Sequence, residues 1–564
     1  MSSSSVSASG RVLIVGAGPT GLAAANLLGQ AGVPVSLIEQ HATTSDEAKA
    51  ISLDDESLRT MQAAGWDDKV AEVVTPGTGT RYYDRRGRPL LHAKGPFPFR
   101  LGHPFKNAFA QPDLERVLLD GLDRFPHVEV AFETTLIGLR PGADRVEATI
   151  VRRSGRGGPD GAAGSETLPF AYVLGCDGGR SAVRELRGIT MSGRNHEEKW
   201  LVVDTLGDQR DERFAMHYGD PGRPHVIVPG RGNRCRYEFA LRPDEADLGQ
   251  VVDFELIRRL LAPFRAIEPH HVERAVVYRF NALVADTWGS GRCFLLGDAA
   301  HMMPPFAGQG LNSGVRDAAN LCWKLVAVLS GTAGPALLDS YEVERKPHAL
   351  ATVRLSERLG TVVMTRNRWT ARARDAAVRL LKLFPGTRDY LEAMRFRPVA
   401  RYQQGFVHVT GRDAQRDLVG VQLPQPRVYT GDYELVRMDD ALGPGFSLLG
   451  VDVAEAEWAG LDPRLEGLAP RRIEVALGDR MPRAAPGRRA CTDADGRLEG
   501  FFRGMSGHFV LVRPDRFIAA VFTAAQSGRV MGELAPFLDT RSRGLGLIGH
   551  PPEHTSSGIE ENVT

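Results

Sequence analysis

The chain has 564 residues, 42% hydrophobic and 25% charged, which is ordinary globular usage with length for several hydrophobic cores. A formal net charge of +1 excludes a global field that would recruit nucleic acid or an anionic membrane surface. The five cysteines (Cys176, Cys235, Cys293, Cys322, Cys491) form no CxxC pair, which speaks against a disulfide framework or a zinc ribbon and for a reducing, cytoplasmic setting.

The opening MSSSSVSASG has no basic n-region and no apolar h-region, so it is not read as a signal peptide, and residues 1–10 are expected to form a disordered tail. No run of 18 apolar residues occurs, so no membrane span is expected, and no metal is called for. RVLIV at 11–15 reads as a buried strand. GAGPTG follows, placing Gly16, Gly18, Pro19, Thr20 and Gly21 at a turn before the helical pattern LAAANLLGQAG. A second strand, VSLIE, ends at Glu39, next to Gln40. Such glycines let backbone approach a pyrophosphate, and the helix N-terminus favours its charge. An acid about twenty residues further on accepts hydrogen bonds from ribose hydroxyls. The plainer reading is a tight strand–helix turn with no ligand; spacing, context and acid together weigh against it. The motif does not by itself choose between FAD and NAD.

Helical patterns recur at 54–64 and 112–124. The stretch RRSGRGGPDGAAGSE, 152–166, reads as an exposed hairpin loop. Residues 200–280 alternate strand-like segments such as RCRYEFAL and HVERAVVYRF with Gly/Pro turns, which predicts a sheet-rich substrate domain. Helix is expected from Gly310 to about Met394. A last unit starts near 415–427 and contains FSLLGVD, RRIEVAL and the hairpin-like HFVLVRPDRFIAAVF. Residues 541–564 read as a polar tail.

Two further motifs end apolar runs with an Asp: VLGCDGGRSAVR, with Asp177, and CFLLGDAAHMMPPFAGQGLN, with Asp298. An enzyme that holds only a nicotinamide nucleotide needs neither; an extended ligand crossing the domain needs both. Asp298 would end a strand with its carboxylate facing a ribitol hydroxyl. Pro304 and Pro305 would fix a corner beside a flat ring. Gly308, Gly310 and the next helix would present backbone N–H groups to the electron-rich pyrimidine edge of a reduced flavin. The rival reading is a Pro/Gly loop that caps a helix.

At these residues the chain resembles the class A, single-component FAD-dependent aromatic hydroxylases of the phenol-hydroxylase type. SLDDESLR, AQPDLERVL, WLVVD, GNRCRYEF, DAANLCWKL and LVRPDR carry the likeness furthest toward the 3-(3-hydroxyphenyl)propionate hydroxylase subgroup. The resemblance implies an α/β and α+β architecture. A Rossmann-like FAD-binding domain (11–190 and 281–400, with a helical extension) is interleaved with a β-sheet substrate domain (191–280, with about 75–110). A thioredoxin-like C-terminal domain follows at 415–540. That last unit has only Cys491 and no CxxC, so a structural role or support of a homodimer is expected of it rather than dithiol chemistry.

Carried over by position, Glu39 would bind the adenosine ribose and Gln111 the flavin or its pyrophosphate side. The Asp177 region would serve FAD and a transient NADPH or NADH, with Arg180 and Arg184 near the pyrophosphate. Asp298 would hold ribitol or pyrophosphate. Pro305, Gly308, Gly310, Leu311 and Asn312 would border the isoalloxazine. The family usually has an Arg just before the AISLDD stretch; here Lys49 keeps the charge without the bidentate fork, which implies a weaker or more mobile flavin. The implied chemistry is NAD(P)H reduction of non-covalent FAD, then reaction with O2 and transfer of one oxygen atom to a phenol through a flavin C4a-hydroperoxide, the other atom leaving as water. His217, Tyr218 and Tyr237 are the expected substrate-pocket residues, with Arg223 or Arg236 to pair a substrate carboxylate. His301 is expected to pack the loop and Cys322 to be helix core. The alternatives are a hydroxylase of a larger phenolic natural product, a flavin reductase of the same fold, and a non-catalytic FAD-binding protein.

Overall fold

The computed structural model describes residues 10–46, 49–77, 79–153, 164–245, 252–409, 413–478 and 485–540. The tails expected at 1–10 and 541–564 lie outside the described residues except for Gly10, and so does most of the 152–166 loop. The first sheet is six-stranded, in the order Gly289–Ser290, Cys293–Leu295, Tyr172–Gly175, Val12–Val15, Val35–Ile38, Val128–Ala131. All its neighbours are parallel except the Gly289–Ser290 edge. Its central strands are buried on both faces, which is why they read as unbroken apolar runs rather than as alternation. Helices Pro19–Gln30 and Gly310–Leu329 pack against each other beside it. The close approach is set by Thr20: a Cβ on Gly314 would come 2.2 Å from its Oγ1, and one on Gly297 2.7 Å.

The second sheet has eight strands and is mostly antiparallel. Its order is His301–Met302, Val272–Ala285, Met191–Thr205, Cys235–Ala240, His225–Pro229, Ala215–Tyr218, Thr80–Tyr83, Pro89–Ala93. Both faces are covered. One carries Leu201, Val203, Ile227, Tyr237 and Phe239 against the amphipathic helix Phe254–Leu261, whose Leu256, Ile257, Leu260 and Leu261 are buried. Each such side chain contributes about 1.5–3 kcal/mol of transfer free energy. The opposite face carries Trp200, Ala215, Val226, Val228 and Ala240, and it meets Ile51 and Phe306. Phe306 belongs to the loop between Asp298 and Gly310, so this second face is turned toward the nucleotide-type sheet.

The last unit is a mixed seven-stranded sheet: Leu435–Arg437, Arg427–Thr430, Arg489–Asp493, Arg471–Ala476, Ser447–Val451, His508–Val512, Ile518–Phe522. The expected hairpin is its antiparallel pair His508–Val512 and Ile518–Phe522. Its Cys491 is buried, and burial pushes the thiol up to about 12, so it is inert. Two buried ion clusters join this unit to the rest. Glu344 accepts from Arg513 Nη1 and Nη2 at 2.8 Å each and from Lys324 Nζ at 2.7 Å. Arg59 grips Asp439 through Nε at 2.7 Å and Nη2 at 2.6 Å. Among the described residues no helix is long and apolar enough to cross a membrane.

Candidate active site

The three sequence motifs meet at one edge. Val35–Ile38, Val12–Val15, Tyr172–Gly175 and Cys293–Leu295 are adjacent parallel strands, and Glu39, Gly16, Asp177 and Asp298 follow just beyond their C-terminal ends. That is where open α/β sheets bind ligands. Gly16 has φ +103°, and a Cβ there would lie 2.6 Å from the Cys176 carbonyl oxygen, so only glycine fits between the first two motifs. Gly18 is different: a Cβ on it meets nothing within 4 Å. It opens the helix Pro19–Gln30, which starts with Pro and has no side-chain cap. Its first N–H groups are therefore available to an anion. Glu39 Oε2 accepts from Ala17 N at 2.9 Å and Oε1 from His41 N at 3.0 Å, which fixes the carboxylate at the turn. Gln40 is exposed beside it. Asp177 Oδ2 accepts from Val183 N at 3.0 Å, while its Oδ1 is buried without a partner.

Asp298 stands out in its surroundings. Leu296, Ala299 and Ala300 are wholly buried, yet the Asp298 side chain is exposed. Protein atoms crowd it enough for desolvation to push its carboxyl above the usual range, against the pull of His301 and Lys49. Both facts hold for a carboxylate on the floor of a cleft: walled by protein, open on one side. Among the described residues it makes no hydrogen bond. Behind it lies a closed cluster. Asp317 accepts from Gly297 N at 3.0 Å, from His301 Nε2 at 2.7 Å and from Arg345 Nε at 3.0 Å, with all three side chains buried. His301 also packs on Trp288, with ring centroids 5.0 Å apart. It is a scaffold histidine, as expected from the sequence. Cys322, also buried, places its Sγ 3.8 Å from the Ala24 carbonyl and joins the core.

Beyond Asp298 the chain turns at Pro304, which is buried, and Pro305, which is exposed. Gly308 takes the left-handed conformation (φ +61°), and helix Gly310–Leu329 begins without a side-chain cap. Leu311 is half-buried. Asn312 is wholly buried and ties this helix to 52–57: its Oδ1 accepts from Asp54 N and Ser57 Oγ, and its Nδ2 donates to the carbonyls of Ser52 and Gly308. It holds the loop through its side chain and leaves the ligand side to backbone. Gln111 is likewise turned inward. Its Oε1 accepts from Ala50 N at 2.7 Å and its Nε2 donates to Glu115 at 2.8 Å, so it supports the segment that carries Lys49. The Lys49 side chain is exposed, and its charge opposes the desolvation that raises the Asp298 and Glu115 carboxyls. Arg184 is a clamp, donating to the carbonyls of Ala299 and Gly179, and Arg180 is exposed.

The sheet face above this loop forms the opposite wall. Register places Tyr82 beside His217, His217 beside Val226, and Val226 beside Glu238. Trp200, Phe280 and Phe306 supply an aromatic lining, with centroids 5.6–6.1 Å apart. Lys106 Nζ donates to Thr80 Oγ1 at 2.7 Å. Desolvation and the nearby Arg397 push its ammonium down to about 8. Desolvation, then Lys106, pushes His217 down to about 3, so its imidazole is neutral. Sequence reasoning named His217 here and missed Tyr82, Lys106 and Glu238.

Tyr218 and Tyr237 require correction. They alternate onto the other face, where Tyr218 stacks on Tyr83 (4.7 Å) and His225 (4.4 Å). Tyr237 donates to Asp208 Oδ2 at 2.7 Å beneath helix Phe254–Leu261. A β-sheet separates both from the flavin-type loop. The two arginines considered for a substrate carboxylate are also engaged. Arg223 forks onto Glu245 at 2.8 Å twice, and Arg236 onto Asp204 at 2.7 and 3.0 Å with a further bond to the Lys49 carbonyl. An open groove of about 980 Å³ lies on that far face, lined by Arg81, Arg210 and Arg265 among others, and it contains none of the motif residues.

An uncapped helix over an open Gly18, a cleft-facing Asp298, an orphaned Asp177 oxygen and a second uncapped helix across the cleft fit an extended dinucleotide with a flat ring. A family model described as "FAD binding domain" matches residues 10–356. The chain belongs to that family, among the FAD-dependent aromatic hydroxylases. A second model, "HcaD C-terminal domain", matches 420–536. A 3-(3-hydroxy-phenyl)propionate/3-hydroxycinnamic acid hydroxylase of Mycobacterium avium is 37% identical over 97% of this chain and 94% of its own length. A relative named likewise, with the suffix 2, from Burkholderia vietnamiensis is 36% identical over 90% of this chain and 93% of its own length. In fold, the chain is similar to the flavin-dependent monooxygenase PieE (TM-score 0.74, 23% identity, 93% of this chain and 98% of that one). It is similar too to aklavinone-11 hydroxylase (TM-score 0.72, 24% identity, 93% and 99%). This aromatic hydroxylase is thus a flavin monooxygenase.

Proposed function

We propose that the chain uses NAD(P)H and O2 to hydroxylate a monocyclic phenol that carries a carboxylated side chain, of the 3-(3-hydroxyphenyl)propionate class. The observation that carries the reading is the aromatic cluster of Trp200, Phe280 and Phe306, where the sheet face bearing His217, with Lys106 nearby, meets the Gly297–Asn312 loop, in a chain related over nearly its full length to hydroxylases of that name. Bound FAD would supply the exchange of electrons with the nicotinamide and the activation of dioxygen. Gly18 and the start of helix Pro19–Gln30 would hold its pyrophosphate, Glu39 its adenosine ribose, and Asp298 its ribitol hydroxyls. The backbone from Gly308 to Leu311 would face the pyrimidine edge, where the helix dipole favours negative charge.

The protein's own chemistry is to place the ring and ionise the phenol. Trp200, Phe280 and Phe306 give a dry, flat wall. The Lys106 ammonium would stabilise a phenolate, which concentrates electron density at the ortho and para carbons. Neutral His217 can accept a hydrogen bond from the phenol hydroxyl. The FAD-loaded protein should show NAD(P)H oxidation stimulated by 3-(3-hydroxyphenyl)propionate, with a product heavier by one oxygen atom. If only a polycyclic phenol is hydroxylated, the substrate is misassigned and the reaction class stands. If no phenol gains oxygen, the reading fails.

A further inference from the structure

A cavity of about 610 Å³ lies beside the start of helix Gly310–Leu329, lined by Gln309 and Arg316 from that helix region, Asp55 and Glu56, and Arg100 and Arg397. Nothing in the mechanism above uses it. Its cations are unevenly paired. Arg316 is spent on Glu56 (Nε–Oε2 2.7 Å) and Asp54. Arg397 comes only to 3.9 Å of Asp54, an oxygen already held by Arg316, and its side chain makes no hydrogen bond among the described residues. It stacks over the Phe105 ring at 4.7 Å with 17% of its side chain exposed. Arg100 donates to the Gln422 carbonyl at 3.0 Å and pairs with no described carboxylate. Burial and then Asp54 and Glu56 push the Asp55 carboxyl up, which weakens it as a partner for either guanidinium. His348, also on the wall, is held neutral by burial and by Arg345. Three guanidiniums (Arg100, Arg316, Arg397) face Asp54, Asp55 and Glu56, but among the described residues only Arg316 hydrogen-bonds to any of them, so Arg100 and Arg397 hold no carboxylate at hydrogen-bonding distance. Lys94, Arg395, Asp389 and Glu392, two of each sign, also line it.

The cavity adjoins the substrate cleft rather than standing apart from it. Phe105 lines it, and the next residue, Lys106, faces the cleft. The Arg397 charge is felt at both Lys106 and Tyr82. An uncompensated buried cation is costly unless an anion reaches it. A guanidinium is the group best shaped to receive a carboxylate, through a fork of two parallel hydrogen bonds.

We propose that Arg397, assisted by Arg100, is the subsite for the carboxylate of the substrate side chain, with the phenol ring lying past Lys106 in the aromatic cleft. This rests on the substrate reading above and replaces Arg223 and Arg236, which are bound elsewhere. The test is calorimetric and needs no turnover. FAD-loaded enzyme is titrated with 3-phenylpropionate and with its uncharged amide, 3-phenylpropanamide. The acid should bind more tightly by about 10- to 100-fold, the range of a charge-assisted pair. Arg397→Gln and, to a smaller degree, Arg100→Gln should abolish that preference while leaving the affinity for the amide within about two-fold, and Arg397→Lys should restore part of it. Equal binding of acid and amide by the unaltered enzyme overturns the proposal, as does an Arg397→Gln variant that keeps the preference. Phenol turnover is scored separately, so loss of hydroxylation with an intact acid preference counts against the reaction reading alone.

Discussion

Asp298 and Asp317 sit nineteen residues apart in sequence on the two sides of one loop, and the structure assigns them opposite roles that a paired substitution separates. Asp298 makes no hydrogen bond among the described residues, and its carboxyl is held high by desolvation. Asp298→Ala therefore removes nothing from the apoprotein fold, whose stability should stay within about 0.5 kcal/mol of the original. What it would remove, with FAD placed as proposed, is an acceptor for cofactor hydroxyls. One to two such bonds to a charged oxygen are worth about 1.5–3 kcal/mol, which is about a 10- to 150-fold weaker FAD. Asp317→Ala does the reverse. It cuts bonds at 3.0, 2.7 and 3.0 Å and strands His301 and Arg345, whose side chains are both fully buried. Breaking a buried pair in this way costs about 3–5 kcal/mol. Apoprotein thermal unfolding and equilibrium titration with FAD read the two quantities independently. An Asp298→Ala apoprotein that melts as early as Asp317→Ala would show that Asp298 is scaffold. An unchanged FAD affinity would show that the cleft it faces is not the cofactor's.

Gly16→Ala should yield protein without flavin, because its Cβ would collide with the Cys176 carbonyl at 2.6 Å in a backbone conformation alanine resists; an absorbance spectrum decides it. Tyr218→Phe should leave the KM for a phenol unchanged, and Tyr237→Phe should lower stability by about 1–2 kcal/mol through its lost bond to Asp208 without changing KM, as steady-state kinetics and urea unfolding will show. Lys106 gives a pH prediction. Its ammonium is pushed down to about 8, so the ionised form that would stabilise a phenolate is lost as pH rises through 8, and kcat/KM should fall there; Lys106→Met should be slow at every pH and lack that limb. The sign for stability is opposite. The folded chain binds this proton less tightly than the unfolded chain does, so Lys106 costs up to about 3 kcal/mol at pH 7 and nothing above about 10.5, and Lys106→Met should melt higher at pH 7. Glu344→Ala should leave Lys324 without a carboxylate and Arg513 with only Asp515, lower stability by about 3–5 kcal/mol and loosen the C-terminal unit to proteases.

The nucleotide-type half of the molecule was legible because its signals are local. A glycine turn, an acid at the next strand end and a Gly-Asp run are each written in consecutive residues, and strand parallelism does the rest by bringing the ends together. The substrate cleft was not legible, for a reason visible at CRYEFA. Alternation along Cys235–Ala240 separates Arg236, Glu238 and Ala240 from Cys235, Tyr237 and Phe239. A half-exposed strand would show which set points inward, because one set would be polar. Here both faces are covered, one by helix Phe254–Leu261 and the other by the loop around Phe306, so apolar and polar residues occur on each. The two tyrosines chosen for a phenol pocket went to the helix side, and His217 went to the cleft side. Lys106 and Arg397 illustrate the second limit. They lie 291 residues apart by position, in segments without a motif, and act on the same cleft only because the strand Lys106–Phe109 and the turn after Pro385–Glu392 fold onto one wall. Their common signature is a cation surrounded by protein that has no carboxylate at hydrogen-bonding distance among the described residues. That property belongs to the folded arrangement of charges, so burial and pairing distances locate a substrate subsite that composition and spacing pass over.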